Sequence, residues 1–93
     1  MKILVADDDP TSRLIAQTAL HTGGHDCRLV NDGAHAWAVY RQWRPDAVIS
    51  DWMMPEMTGL QLCRAIRSQP PGRYTYFIMI TSQGALAEVL EGM

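Results

Sequence analysis

The acid run Asp7-Asp8-Asp9, the isolated Asp51 and the hydroxyl of Thr81 are the residues whose types and placement could do chemistry together. Each closes a short apolar stretch: Ile3 to Ala6 precedes the acid run, Ala47 to Ser50 precedes Asp51, and Tyr76 to Ile80 precedes Thr81. Taken singly, they read as a helix cap, a solvated turn residue and a strand residue. A cap accounts for only one of three consecutive acids, however. If the first and third apolar stretches are neighbouring strands, Asp7, Asp8 and Asp51 converge although Asp51 lies 44 positions after Asp7. Two carboxylates about 4 Å apart repel by roughly 4 kcal/mol at an effective dielectric of about 20, so such a gathering requires a proton or a cation. A hard all-oxygen site at a solvent-facing strand edge suits Mg²⁺, which keeps several waters and commonly works with a phosphoryl group. A carboxylate beside that ion can act as a nucleophile toward phosphorus, and Thr81 could donate its hydroxyl to the same phosphoryl oxygens.

The elements that must position these groups follow from the hydrophobic periodicity. Lys2 to Ala6 reads as a strand, after which Asp9 caps a helix with Pro10 at its first position. Leu14, Ile15, Thr18 and Ala19 recur at helical spacing until Gly23-Gly24. Cys27 to Val30 reads as a second strand, and Asn31-Asp32-Gly33 leads into a helix whose stripe Ala36, Trp37, Tyr40 and Trp43 is assigned to the core. Pro45 ends that helix. Asp46 to Ser50 is a third strand reaching Asp51. Beyond the loop Trp52 to Met57, Thr58 and Gln61 form a capping box for a helix that carries Leu60, Cys63 and Ile66 and stops at Pro70-Pro71-Gly72. Tyr76 to Ile80 is a fourth strand, and Ala85 to Leu90 is expected to begin a fourth helix. Repeated strand-then-helix units predict a parallel α/β sheet covered on both faces, with its ligand site beyond the carboxyl ends of the strands.

Composition is consistent with one small domain: 93 residues, 47% hydrophobic, 19% charged and a formal charge of −2. Ten Asp and Glu against eight Lys and Arg leave no electrostatic footprint for nucleic acid or an anionic membrane. No apolar run reaches the roughly 18 residues of a membrane span, and no signal-peptide pattern follows Met1, so a cytoplasmic location is expected. Cys27 and Cys63 read as reduced packing residues. His21, His25 and His35 read as surface residues, and Met53, Met54 and Met57 as loop and packing residues.

Three segments resemble the response-regulator receiver domain of two-component signalling. They are Ile3-Leu4-Val5-Ala6-Asp7-Asp8-Asp9-Pro10, the stretch Asp46-Ala47-Val48-Ile49-Ser50-Asp51-Trp52-Met53-Met54-Pro55-Glu56-Met57-Thr58-Gly59, and Phe77-Ile78-Met79-Ile80-Thr81-Ser82. The resemblance implies a doubly wound parallel sheet of the flavodoxin-like, CheY-like kind. It implies that Asp51 accepts a phosphoryl group from a phosphohistidine of a sensor kinase or phosphotransfer protein, switching a downstream output domain or effector. It also implies that Asp8 and Asp51 ligate Mg²⁺ by their side chains and Met53 by its backbone carbonyl, that Asp7 acts largely through water, and that Thr81 bonds a phosphoryl oxygen. Met53 and Gln83 occupy positions that tune hydrolysis; Met53 has no polar group to hold water, which implies a persistent phosphorylated state. Such a domain is a phosphoacceptor that assists its own reactions rather than an enzyme. Receivers continue with a fifth strand, a Lys after it and a fifth helix, and residues 1–93 are expected to be a receiver incomplete at its carboxyl end, with a bare apolar edge on the fourth strand. Lys2 starts the first strand at the opposite end of the sheet and cannot replace that Lys.

Two other readings use the same residues. Asp7-Asp8-Asp9-Pro10-Thr11 fits the nucleophile motif of haloacid-dehalogenase-like phosphatases, with Asp7 attacking and Asp9 as general acid, but it gives Asp51 no role. A receiver-fold docking module that is never phosphorylated leaves the full acid set unexplained.

Overall fold

A computed structural model describes residues 1–54, 56–69, 74–80 and 86–88. The strands are β1 (Lys2–Ala6), β2 (Asp26–Val30), β3 (Ala47–Asp51), β4 (Tyr76–Ile80) and β5 (Leu86–Glu88); the helices are α1 (Pro10–Thr22), α2 (Gly33–Trp43) and α3 (Gly59–Arg67). The sheet runs β2-β1-β3-β4-β5, with the first four strands parallel. Strand order therefore reverses between β1 and β3, which is where a doubly wound sheet opens a crevice at its carboxyl edge.

Local chemistry fixes the helix starts. Asp9 accepts a hydrogen bond from the Thr11 N–H at 3.3 Å and from the Ser12 hydroxyl at 2.8 Å, with Pro10 opening the helix. Asp32 accepts from the His35 N–H at 2.7 Å at the start of α2. Thr58 and Gln61 form the expected capping box, with bonds of 3.2 and 2.9 Å. Arg44, in the left-handed region at φ 54°, closes α2 through an N–H bond to the Tyr40 carbonyl just before Pro45.

Alternation along the strands builds two cores. Leu4, Ala6, Val48, Phe77 and Met79 face α2 and α3, where they meet Ala36, Tyr40, Leu62, Cys63 and Ile66. Ile3, Val5 and Ala47 face the other way, with Ala16, Leu20 and Ile49 packed against them. The α2 stripe is core as expected: Ala36 and Tyr40 are buried, Trp37 and Trp43 pack against the cluster, and the Tyr40 hydroxyl meets Thr75 Oγ1 at 3.3 Å. Cys63 is buried and Cys27 half-buried, both as free thiols; burial, reinforced by Asp26, pushes the Cys27 thiol up and makes it less reactive. Lys2 donates to the Trp43 carbonyl at 2.7 Å and lies over that indole, at the amino end of the sheet away from the acids.

Two expectations are corrected. The stripe Leu14, Ile15, Thr18, Ala19 of α1 faces outward, with Leu14 and Ile15 61% and 65% exposed, while Ala16 and Leu20 pack inward. Both stripes have helical spacing, and the contact with Ile3, Val5 and Ala47 selects the smaller one. The second correction concerns the fourth helix expected over Ala85–Leu90: of that segment residues 86–88 are described, and they form β5, antiparallel to Ile78–Ile80. The outer N–H and C=O groups of β4 need partners. Five residues separate the strands, far fewer than a parallel crossover requires, so the returning chain pairs antiparallel. The edge of β4 is thereby covered over Ile78–Ile80 instead of left bare, by a strand that differs in direction from the parallel fifth strand of the family pattern.

Leu62 is fully buried and Ile15 is not. Leu62→Ala should cost about 2–5 kcal/mol of unfolding free energy, the usual range for a filled core position, whereas Ile15→Ala should cost less than about 0.5 kcal/mol, as surface changes do. Urea denaturation of the two variants measures the contrast.

Candidate functional site

Parallel pairing of β1 with β3 places Ala6 opposite Ser50, so the next residue on each strand, Asp7 and Asp51, emerge side by side at the carboxyl edge. Asp7 is buried, Asp51 half-buried and Asp8 exposed. One carboxylate oxygen from each lies within 4.8 Å of the others. Asp7 is held from both sides: its N–H donates to the Val30 carbonyl at 3.1 Å, and its Oδ1 accepts the Asp9 N–H at 2.9 Å. Arg13 reaches back from α1 to donate to the Asp7 carbonyl at 2.6 Å.

The proximity leaves its mark on Asp51. Burial, followed by the charge of Asp7 and to a smaller degree that of Asp8, pushes its carboxyl above the usual carboxylate range, while the nearby backbone N–H dipoles of Trp52 and Met53 pull the other way. Asp9 stands apart. The Ser12 hydroxyl and the backbone N–H groups of Thr11 and Ser12 hold its carboxyl below the usual range. Its side chain is committed to the α1 cap, and the direction of the shift is opposite to what a general acid needs.

The donor set fits a hard divalent cation: three carboxylates, no nitrogen or sulfur ligand, one face open to solvent. Such an ion would offset both the burial and the neighbouring charges that raise the Asp51 carboxyl. Of the residues singled out from sequence, Asp7, Asp8 and Asp51 come together here. Met53 stands beside them on the loop after β3, 60% exposed, next to Trp52 at 42%. Thr81 and Gln83 lie outside the described residues.

Three supports besides the Arg13 contact were not read from the sequence. Gly59, the first residue of α3, donates its N–H to the Trp52 carbonyl at 2.8 Å, and a β-carbon there would overlap the Asp51 carbonyl oxygen. Gly33, the first residue of α2, lies equally tight against the Met57 backbone. Ser50, fully buried, donates its hydroxyl to the Asp51 carbonyl at 2.9 Å. A glycine directly after a helix cap, where any good helix former would serve, is the available signal for the first two; the Arg13 contact had none.

A doubly wound α/β domain with a cation-accepting acid pocket at its switch point is the class that fold and site define. The sequence model of the response regulator receiver domain matches residues 3–93. The chain is 38% identical over 95 residues to a chemotaxis protein CheY homolog of Campylobacter jejuni, covering all of this chain and 73% of that protein. It is 34% identical over 93 residues to the response regulator MprA of Mycobacterium leprae, of which it spans 40%. Among solved structures, CheY4 of Vibrio cholerae superposes with a TM-score of 0.83 at 32% identity, over 90% of this chain and 70% of that one. The BeF3-activated N-terminal receiver domain of Klebsiella pneumoniae RstA gives 0.79 at 30% identity, over 88% and 68%. This chain belongs to the response regulator receiver domain family of two-component signalling. No helix among the described residues is long and apolar enough to cross a membrane.

Two outcomes follow from the pocket. A carboxyl pushed up by its surroundings stays protonated to higher pH in the folded chain than in the unfolded one. Its ionisation therefore costs no stability below the unfolded carboxylate pKa and costs increasingly more as pH rises to the folded value. In chelator, Asp51→Asn should raise the thermal midpoint at neutral pH and flatten its fall across that window; millimolar Mg²⁺ should shrink the difference, as scanning calorimetry will show. Gly59→Ala should lower the unfolding free energy by about 1–3 kcal/mol, the usual cost of overpacking, and weaken any Mg²⁺ response of Trp52 emission.

Proposed function

We propose that residues 1–93 act as a single phosphoacceptor unit in which Asp51 takes a phosphoryl group from a phosphohistidine of a sensor kinase or phosphotransfer protein. The observation that carries this reading is the convergence of the Asp7, Asp8 and Asp51 carboxylates at the crevice between β1 and β3. An Asp51 carboxylate oxygen attacks phosphorus in line with the departing imidazole nitrogen. The O–P bond forms as the P–N bond breaks, and the imidazole leaves as neutral histidine after taking up a proton. Asp8, Asp51 and the Met53 carbonyl, with Asp7 through water, would hold Mg²⁺, which when bound would supply the positive charge that offsets the phosphoryl oxygens.

The chain's own residues do the remaining work. Ser50 and Gly59 hold the Asp51 backbone from the core side and Arg13 steadies Asp7, so the nucleophile is placed before the donor arrives. The hydroxyl of Thr81 donates to a phosphoryl oxygen and, by moving toward it, biases an equilibrium between two surface states read by an output domain or effector. The domain thus assists one turnover on itself and signals rather than catalysing a multiple-turnover reaction, in the cytoplasm and without contacting nucleic acid or membrane. The commitment of Asp9 to the α1 cap weighs against a phosphatase using Asp7 and Asp9.

Incubation with acetyl phosphate and Mg²⁺, followed by borohydride reduction and peptide mass spectrometry, should place the label on Asp51 and lose it in Asp51→Asn. A label on Asp7 would instead favour the phosphatase. Trp52 emission should respond to millimolar Mg²⁺; a silent titration together with no label would favour a docking module.

A further inference from the structure

We propose that Met53 is a modification site, oxidised at sulfur by hydrogen peroxide or another two-electron oxygen-atom donor, and that its sulfoxide shortens the life of the phosphoryl group on Asp51. The second clause rests on the phosphoacceptor reading above. Met53 is 60% exposed, whereas Met54 at 8% and Met79 at 1% belong to the core and Met57 packs against it. Oxidant access, which governs methionine susceptibility, therefore favours Met53 over Met54, Met57 and Met79, and of the described methionines only Met1 at the amino end is comparably exposed. Met53 lies two residues after Asp51 on the loop that leaves β3, so the modified residue stays close to the reacting group.

The step balances without a further reductant. A thioether lone pair attacks one peroxide oxygen, the O–O bond breaks, and the departing hydroxide gains a proton to leave as water; sulfur loses two electrons and peroxide gains them. The side chain changes from one with almost no hydrogen-bonding capacity to a neutral one carrying a strong oxygen acceptor. Beside Asp51, that oxygen can hold a water for attack on phosphorus, or accept a hydrogen bond from a water bound to Mg²⁺. The unmodified thioether does neither.

The 93-residue chain should be treated with limiting peroxide and mapped by peptide mass spectrometry, and its phosphoryl lifetime then followed after labelling with acetyl phosphate and Mg²⁺. Met53 should oxidise about five-fold or more faster than Met54 and Met79, as its accessibility demands. Phosphoryl lifetime should fall roughly three- to ten-fold, the effect of one added water-positioning hydrogen bond. The phosphoryl lifetime of Met53→Leu should not respond to peroxide even though the exposed Met1 is still oxidised, and untreated Met53→Gln should approach the lifetime of the oxidised chain. Oxidation of Met53 no faster than that of Met54, or an unchanged lifetime in the oxidised chain, overturns the proposal. If Asp51 takes no label, the phosphoacceptor reading fails, and the proposal is then decided by the mass map and by the Mg²⁺ midpoint of Trp52 emission. That midpoint should fall about two-fold or more on oxidation, as one added hydrogen bond allows, and an unmoved midpoint overturns it.

Discussion

Everything distinctive about this domain depends on three like charges held together where they repel. Parallel pairing of β1 with β3 puts Asp7 and Asp51 at adjacent strand ends, and Asp8 follows directly on the chain. Left alone, carboxylates at that spacing would spread apart or take up a proton, and the carboxyl of Asp51 is pushed up by its burial first and by the charges of Asp7 and Asp8 in addition. The surrounding framework opposes that relaxation. Asp7 is bonded to β2, to its own turn and to Arg13, while Asp51 is backed by Ser50 and by the bare α-carbon of Gly59. A pocket of this donor set is one that a hard divalent cation fits.

That tension also separates the roles of residues that look alike in sequence. Of three consecutive aspartates, Asp7 is buried and bonded, Asp8 is exposed at the pocket, and Asp9 is turned away to cap α1 with its carboxyl held in the opposite direction from that of Asp51. Of the methionines after Asp51, Met54 anchors the loop in the core while Met53 stands in solvent. A difference of one position on the backbone decides which side chain is buried and which is exposed.

The sheet itself shows how packing arbitrates between local signals. In α1 two stripes of suitable period compete, and the contact with Ile3, Val5 and Ala47 selects Ala16 and Leu20 over Leu14 and Ile15. The segment around Leu86–Glu88 has a weak helical period over six residues, too short to hold a helix unaided. The unpaired edge of β4 offers it backbone hydrogen bonds instead, and it becomes a strand.

The sequence by itself determined the strands β1 and β4 residue for residue, the caps at Asp9 and Thr58, the aromatic stripe of α2 and the convergence of Asp7, Asp8 and Asp51. These rest on local period, capping chemistry and the position of an acid at a strand end, all written in contiguous residues. Only the tertiary structure decided which face of α1 is buried, that residues 86–88 pair with β4, and that Arg13, Ser50, Gly33 and Gly59 brace the site. Those outcomes turn on contacts between segments far apart in the chain: a guanidinium reaching a carbonyl, or two backbones approaching so closely that a β-carbon would not fit. No spacing along one strand or helix encodes such a distance; it exists only once the layers have closed on one another.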